Sequence, residues 1–452
     1  MRDFGSSDNP AVQAQLDRLA ALTLPQGRFG LETIGELCTR LGQPETGMPP
    51  VFHVAGTNGK GSTCAYLRAI LEQQGLNVHV ATKPHLVRYN ERIRIAGRLI
   101  EDDELAALLA EVLDAGEDLA PSFFEVTTAA MFLAFARHPA DACVIEVGLG
   151  GRFDATNVIP ATLVSGIAAL GIDHESFLLR PEAGTPDEPL ARIAFEKASI
   201  AKPGVPLVTQ SYSPRPTAAV LETAVKLGAP VMMRGRDWWA DVSATGIAYR
   251  DRFGELMLPL PEMAGTHQAD NAALAVAMLR HQSAMPVSPE AMAGGIRAAR
   301  WPARLQKLGA GPLTSAAALL DEIWLDGGHN PDAARIIAVH FAVNRDQLGK
   351  ADFVIGMMAN KDAQAFIQTL APVAAKLIAV PVPGHDHHAP EALVAIARSA
   401  GIKRVGSAPD VPSALAMLAS IGQPFDSFRR VVIAGSLYLA GEVLKLNREL
   451  PD

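Results

Sequence analysis

Short runs rich in Val, Ile and Ala recur along the chain, separated by stretches whose apolar positions repeat at helical spacing. The runs Val51–Ala55, Val78–Ala81, Ala142–Val147, Thr162–Ala168 and Val205–Thr209 predict strands. Between them the pattern predicts helices over Ser62–Gln74 (closed by Gly75), Asp102–Leu113 and Glu125–Arg137. Such alternation is the mark of a parallel sheet covered by helices. The texture changes near residue 230. Val231–Pro261 carries Trp, Tyr and alternating apolar positions, with turn residues at Ser243–Gly246 and Arg252–Gly254. It predicts antiparallel hairpins appended to the parallel sheet, followed by a helix over Ala269–Arg280. A second strand–helix series follows, with strands at Glu322–Asp326, Phe353–Met357, Leu377–Val380 and Arg430–Ala434. The junction falls in Trp301–Ala318, which holds two prolines and two glycines. The expected domains are residues 1–303 and 304–452.

Length and composition narrow the field. At roughly 100–200 residues per domain, 452 residues allow two to four. With 49% hydrophobic and 19% charged residues, packed cores are expected and wholesale disorder is excluded. A net charge of −8 argues against a general nucleic-acid or anionic-membrane binder, though not against a small acidic substrate in a local basic pocket. Cys38, Cys64 and Cys143 fit no zinc spacing and no disulfide framework. No signal peptide is apparent, and the longest apolar stretches, such as Val431–Gly441, are too short to span a membrane. A cytoplasmic protein is expected, as a monomer.

The strongest chemical signal is the run from Val51 to Thr63. An apolar strand enters Gly56-Thr57-Asn58-Gly59-Lys60-Gly61-Ser62, and a helix follows. Glycines let backbone N–H groups crowd around phosphate oxygens, and a helix start offers unpaired donors and a positive dipole end. Lys60 adds a charge. The spacing departs from the general phosphate-loop pattern, with Gly61 where a hydroxyl usually follows the lysine. The bland alternative is a glycine-rich turn that binds nothing.

Other candidates sit at strand ends. Glu146 closes its strand ahead of Gly148-Leu149-Gly150-Gly151, where a Mg²⁺ ligand belongs; otherwise it is a solvated acid. Asp173-His174 follows the next strand after a turn. Lys197 alone would be a surface lysine on an amphipathic helix. Asp326 and His329 close a strand in the second series, where ligands collect, and Asn330-Pro331 reads as a helix cap. His385-Asp386-His387-His388 resembles a metal cluster, but its loop setting makes a solvated loop the default over zinc.

Together these segments resemble the folylpolyglutamate synthase/dihydrofolate synthase branch of the Mur ligase superfamily. The resemblance runs in order through GTNGKGST (56–63), PHLVRYNERIRI (84–95), SFFEVTTA (122–129), EVGLGGRFDATN (146–157), GIDHE (171–175), EKASIAKPG (196–204), THQADNAALA (266–275), RWPARLQ (300–306) and DGGHNPDAA (326–334). It implies an α/β fold: a P-loop NTPase-like parallel-sheet domain with appended antiparallel strands, then a smaller Rossmann-like α/β domain. It implies ATP-dependent joining of L-glutamate to dihydropteroate, to reduced folates, or to both, through an acyl phosphate. By resemblance, Thr57, Asn58, Gly59, Lys60, Gly61 and Ser62 cradle the ATP phosphates, and Asn271, Arg304, Asp326 and His329 complete the nucleotide site. Glu146, His174 and Lys197 would bind Mg²⁺, the lysine as a CO₂-derived carbamate, and Lys60, Lys197 and His174 form the catalytic set. The pterin would meet Gly27, Arg28, Phe29, Ser122, Phe123, Phe124, Glu125, Phe153, Asp154 and Ala155.

Two departures stand out. The family usually carries a serine before Pro84 that contributes to a magnesium site; here it is Lys83, which is expected to contact a phosphate and partly replace the ion, with Thr82 as the alternative hydroxyl. The separation of His174 and Lys197, 197 − 174 = 23, exceeds the usual family spacing, and the excess is expected as a loop extension at Arg180–Pro189. Two further readings are a Mur-type ligase acting on a cell-wall precursor and a nucleotide-binding regulator without catalysis.

Overall fold

The structure is a computed structural model that describes residues 5–22, 30–343, 348–420 and 428–451. Contacts divide the chain into two compact units. The first comprises Met1–Glu262 and Gln268–Arg300; the second comprises Met263–His267 and Trp301–Asp452. The division thus falls at Arg300/Trp301, and the short segment Met263–His267 packs with the later residues.

The first unit is built on an eight-stranded sheet: β1 Val51–Ala55, β2 Val78–Ala81, β3 Ile93–Ile95, β4 Arg98–Leu99, β5 Ala142–Glu146, β6 Val164–Ile167, β7 Leu207–Thr209 and β8 Val231–Met233. Their spatial order is β4-β3-β2-β5-β1-β6-β7-β8. The strands from β2 across to β8 run parallel; β3 and β4 add an antiparallel edge. Every residue of β1, β2, β5 and β6 is buried, as expected of strands covered on both faces. One side is filled by the helices Pro10–Ala21, Glu32–Arg40, Asp102–Gly116 and Phe123–Arg137, whose apolar faces share a single core with Val51, Cys143 and Ile145.

The expected hairpins differ in one respect. They form a separate three-stranded sheet, β9 Trp238–Ser243, β10 Gly246–Asp251 and β11 Gly254–Leu258, paired in the order β11-β10-β9. Val231–Met233 is instead the last parallel strand of the main sheet. Its three residues are too few for periodicity to separate a parallel strand from a hairpin arm. Trp238 and Tyr249 stack at 6.0 Å between ring centroids and fill the interior side of the small sheet.

The second unit carries a six-stranded sheet: β12 Gln306–Lys307, β13 Glu322–Leu325, β14 Ala351–Ile355, β15 Ala374–Ala379, β16 Arg404–Ser407 and β17 Arg430–Ala434. The order is β12-β13-β17-β14-β15-β16, with only β12 antiparallel. Strand β16 was absent from the expected set because Arg404 and Ser407 are exposed at an edge and Gly406 breaks the apolar run. No helix among the described residues is long and apolar enough to cross a membrane.

Candidate active site

The phosphate loop leaves β1 at Ala55. Gly56 and Gly59 take φ of 153° and 84°, conformations that a side chain resists, and the helix Lys60–Gln73 begins at once. The helix therefore starts two residues before the expected Ser62. The Thr57 backbone N–H donates to Ala169 O at 2.7 Å, and the Thr57 hydroxyl donates to Gly171 O at 2.8 Å. Both bonds pin the loop to the end of β6. The Lys60 ammonium curls back on the Gly56 and Thr57 carbonyls, at 3.0 and 3.2 Å. A Cβ at Gly59 would lie 2.5 Å from Asn271 Oδ1, so Asn271 is packed directly on the loop. Gly61 and Ser62 are buried in the first turn.

Next to β1 in the sheet, β5 ends on Glu146, which is 4% exposed. Its Oε2 accepts from the Lys83 backbone N–H at 3.1 Å. His174 adopts a left-handed φ of 55° at the head of the short helix Glu175–Leu178, and its N–H donates to Asp173 Oδ1 at 2.8 Å. Lys197 lies on the helix Pro189–Ala198, started by Glu188 accepting from Ala191 N at 2.6 Å. It is not a surface lysine: it is 5% exposed, and its ammonium makes no hydrogen bond or ion pair among the described residues. Burial, followed by the charge of Lys60, pushes its ammonium down to about 7, against the opposing pull of Asp173, Asp154 and Glu196. These influences place Lys197 within electrostatic range of both the phosphate loop and the Asp173-His174 turn. Among the described residues no three His, Cys, Asp or Glu side chains form a metal-binding group.

The turn after Glu146 is held from within. Asp154 Oδ2 accepts from the N–H groups of Gly148 (3.0 Å) and Leu149 (2.9 Å). Its Oδ1 accepts from Thr156 N at 3.0 Å and the Thr156 hydroxyl at 2.5 Å. The Thr156 oxygen then accepts from His53 Nε2 at 2.8 Å, which sets the ring tautomer and leaves His53 Nδ1 buried without a partner. Burial pushes His53 down to about 3, so the ring is neutral. Burial alone would raise the Asp154 carboxyl; Lys83 and the Thr156 and Leu149 bonds outweigh it and hold the group below the usual range. Asp154 is thus primarily a scaffold for the loop.

The Ser122–Glu125 stretch closes on itself as a capping box. Glu125 N donates to Ser122 Oγ at 3.3 Å, and Ser122 N donates to Glu125 Oε2 at 2.7 Å. Phe123 is buried in the core, with Phe124 against it at 3.9 Å between centroids. The Arg152 guanidinium covers the Phe153 ring at 4.2 Å. Ala155 is buried in the same core as Phe123. Gly27, Arg28 and Phe29 lie outside the described residues.

In the second unit Asp326 follows β13. Its Oδ2 accepts from Leu305 N at 2.8 Å and its Oδ1 from Gly328 N at 2.7 Å. Burial raises the Asp326 carboxyl, opposed by the charge of Arg304. His329 Nδ1 donates to Gly327 O at 3.0 Å. Asn330 caps the helix Pro331–Ala342 by accepting from Ala333 N at 2.9 Å. Arg304, Asp326 and His329 therefore share one corner of this unit. The histidine run forms no metal group: His387 Nδ1 donates to His385 O, His388 Nε2 to Lys361 O, and the His385 ring stacks on Tyr438 at 3.9 Å.

Sequence reasoning missed three features. One is the Asp154–Thr156–His53 chain. Another is the reach of Lys83 Nζ to Thr128 Oγ1, at 3.2 Å. The third is an ion-pair cluster in which Glu182, from the extended loop, binds both Arg152 and Arg192, while Glu196 binds the same two arginines. No local spacing signals that cluster, because Glu182 shares its turn-like segment with Asp187 and Glu188.

The comparisons agree with this architecture. A profile described as dihydrofolate synthetase, C-terminal domain, matches residues 319–446. The dihydrofolate synthase/folylpolyglutamate synthase of Bacillus subtilis is 33% identical over 372 residues, covering 76% of this chain and 79% of that one. The Escherichia coli FolC structure in complex with DHPP and ADP superposes with a TM-score of 0.85 at 29% identity, covering 98% of each chain. The bifunctional folylpolyglutamate synthase/dihydrofolate synthase of Yersinia pestis, complexed with AMPPNP and a Mn ion, gives 0.82 at 29% identity over 96% of this chain and 97% of that one. The chain belongs to the dihydrofolate synthase/folylpolyglutamate synthase family.

Proposed function

We propose that this protein is an ATP-dependent ligase that joins L-glutamate to the carboxylate of dihydropteroate and to the γ-carboxylate of reduced folates, releasing ADP and phosphate. The observation that carries the reading is the row of groups on adjacent strand ends. The glycine loop with Lys60 follows β1, and Glu146 ends β5 beside it. Lys197, buried and without a partner among the described residues, feels both Lys60 and Asp173.

A carboxylate resists attack by an amine until it is activated. In the first step an acceptor carboxylate oxygen attacks the γ-phosphorus of ATP; the new O–P bond forms as the bond to ADP breaks. In the second, the glutamate nitrogen attacks the acyl carbon, the C–N bond forms, a proton leaves the nitrogen, and phosphate departs. Phosphoryl transfer needs positioning and charge neutralisation above all. The loop N–H groups of Gly59 to Ser62 and the Lys60 ammonium serve the ATP phosphates, while Thr57 and Asn58, whose N–H groups are held by Ala169 O, shape the loop around them. Asn271 supports Gly59 from the other side. Glu146, His174 and a Lys197 carbamate would hold Mg²⁺, which supplies further neutralisation of phosphate charge. Lys197 suits that conversion because a neutral, unpartnered amine is the form that captures CO₂. The phosphate loop makes the first unit the ATP-binding domain in this reading, and Arg304, Asp326 and His329, gathered at one corner of the second unit, are its further nucleotide contacts.

The test is ADP release with L-glutamate and Mg²⁺, run separately with dihydropteroate and tetrahydrofolate, with mass analysis of the products. Products heavier by one glutamyl residue with both acceptors are expected. Turnover with neither would overturn the reading.

A further inference from the structure

Lys83 follows β2, which lies on the far side of β5 from β1 in the sheet. The register pairs Ala81 with Ile145, so Lys83 stands beside the exit of Glu146. Moving along one edge of the sheet, the phosphate loop, Glu146 and Lys83 occupy three neighbouring strand ends. Adjacent strands are about 4.8 Å apart, so Lys83 departs from the sheet roughly two strand spacings from the loop. An acceptor carboxylate lying over the ends of β5 and β2 would therefore stand between the loop and Lys83. The lysine side chain runs past Gly148, where a Cβ would meet Lys83 Cδ at 3.1 Å, and ends on Thr128 Oγ1 at 3.2 Å. Thr128 belongs to the helix Phe123–Arg137.

An ammonium offers three donors, and here one is used. Neither neighbouring carboxylate takes the others. Asp154 is saturated by the N–H groups of Gly148, Leu149 and Thr156 and by the Thr156 hydroxyl. Glu146 accepts from the backbone N–H of Lys83, while Lys83 Nζ forms no ion pair among the described residues. Two N–H donors of the ammonium are therefore left beside Glu146. We propose that the Lys83 ammonium binds the acceptor's own carboxylate and stays with it as it becomes the acyl phosphate, making Lys83 a catalytic residue of this chain. The inference rests on the ligase reading above. No proton moves in the step: the acceptor oxygen gains phosphorus, ADP departs, and Lys83 keeps its charge.

The test is equilibrium binding of two probes to the full chain loaded with a non-hydrolysable ATP analogue and Mg²⁺. One probe is dihydropteroate; the other is the same molecule without its carboxylate. Wild type is expected to favour the carboxylate about 10- to 100-fold, the range for a charged hydrogen bond. Lys83→Met should lose that preference while holding the carboxylate-free probe within about twofold. Lys83→Arg should keep part of it and guards against a folding artefact, as does unchanged affinity for the ATP analogue. A Lys83→Met protein that keeps the preference, or weakens both probes equally, overturns the assignment and leaves a structural lysine. Wild type binding neither probe would instead sink the acceptor class, and Lys83's role with it.

Discussion

The Glu182 carboxylate meets the Arg152 guanidinium twice, at 2.6 and 3.1 Å. Arg152 also reaches Glu196 at 2.8 Å, and its backbone N–H donates to Glu196 O at 2.8 Å. Glu182 comes from the segment that lengthens the His174–Lys197 spacing. It ties that segment to the turn after Glu146 and to the helix carrying Lys197. All three side chains are largely shielded from water, so the pairs outweigh ordinary surface pairs. Glu182→Gln should cost about 1–3 kcal/mol and lower the melting temperature by a few degrees. Thermal unfolding checks this. An unchanged melting temperature would mean that the segment holds nothing in place.

Lys197 sets a pH dependence. Its ammonium is pushed down to about 7 by burial, then by Lys60. Only the neutral amine captures CO₂, so the population able to form a carbamate falls as pH drops through about 7. Activity should therefore decline on the acid side of that point and recover in part with added bicarbonate. Lys197→Met should lower turnover by on the order of 100-fold above that point, with the deficit narrowing as pH falls below it. Labelled bicarbonate should give a carbamate carbon resonance in wild type and none in Lys197→Met. A wild-type protein that is active but shows no such resonance would rule the carbamate out.

Gly59 is the tightest point of the phosphate loop. It combines a φ of 84° with Asn271 Oδ1 only 2.5 Å from where a Cβ would stand. Gly59→Ala must move the loop or Asn271. Left-handed backbone alone costs about 1–2 kcal/mol, roughly a tenfold change in equilibrium. Calorimetry with an ATP analogue should show affinity reduced about tenfold or more. Adding Asn271→Gly removes the collision but not the backbone strain, so it should restore only part. Full affinity in Gly59→Ala would show that the loop does not need its present shape to bind nucleotide.

These cases mark where the fold was legible in the sequence. Strands β1, β2 and β5 were readable because burial on both faces makes them continuous apolar runs between turn residues. The phosphate loop was readable because its glycines and lysine are contiguous. Strand β8 reads with the hairpins because three residues, two half-buried and one buried, show no period. Lys197 reads as a surface lysine in isolation; its burial depends on the turn carrying Gly151, where a Cβ would sit 3.0 Å from Lys197 Cα. The link from Thr156 to His53 spans 103 positions, and no local spacing encodes such a contact. Lys83 appeared as a departure from a motif, while its position between Glu146 and Thr128 emerged only with the sheet order.

The small antiparallel sheet is anchored by one buried pair. Arg280 donates to Asp251 at 2.6 and 2.7 Å, from the helix His267–Arg280 to the end of β10. The Asp251 side chain is 0% exposed and that of Arg280 13%. Burial alone would raise the Asp251 carboxyl; the Arg280 bonds, the Phe253 N–H, the Arg280 charge and the Tyr249 hydroxyl outweigh it and hold the group below its ordinary range. A carboxyl depressed in the folded state contributes stability above its unfolded pKa and loses it as pH falls through the folded one. Arg280→Met leaves a buried acid with only the Phe253 N–H and the Tyr249 hydroxyl. It should cost about 3–5 kcal/mol at neutral pH. The acid midpoint should also shift: without the guanidinium, burial dominates, so Asp251 takes up its proton at higher pH. Protonation then relieves the unpaired charge, and the gap between variant and wild type should narrow on acidification. Asp251→Asn with Arg280→Met removes the charge altogether and should be more stable than Arg280→Met alone. Denaturant unfolding across pH measures all three proteins. A gap that stays constant across pH would show that the pair contributes packing, and not charge, to holding the small sheet.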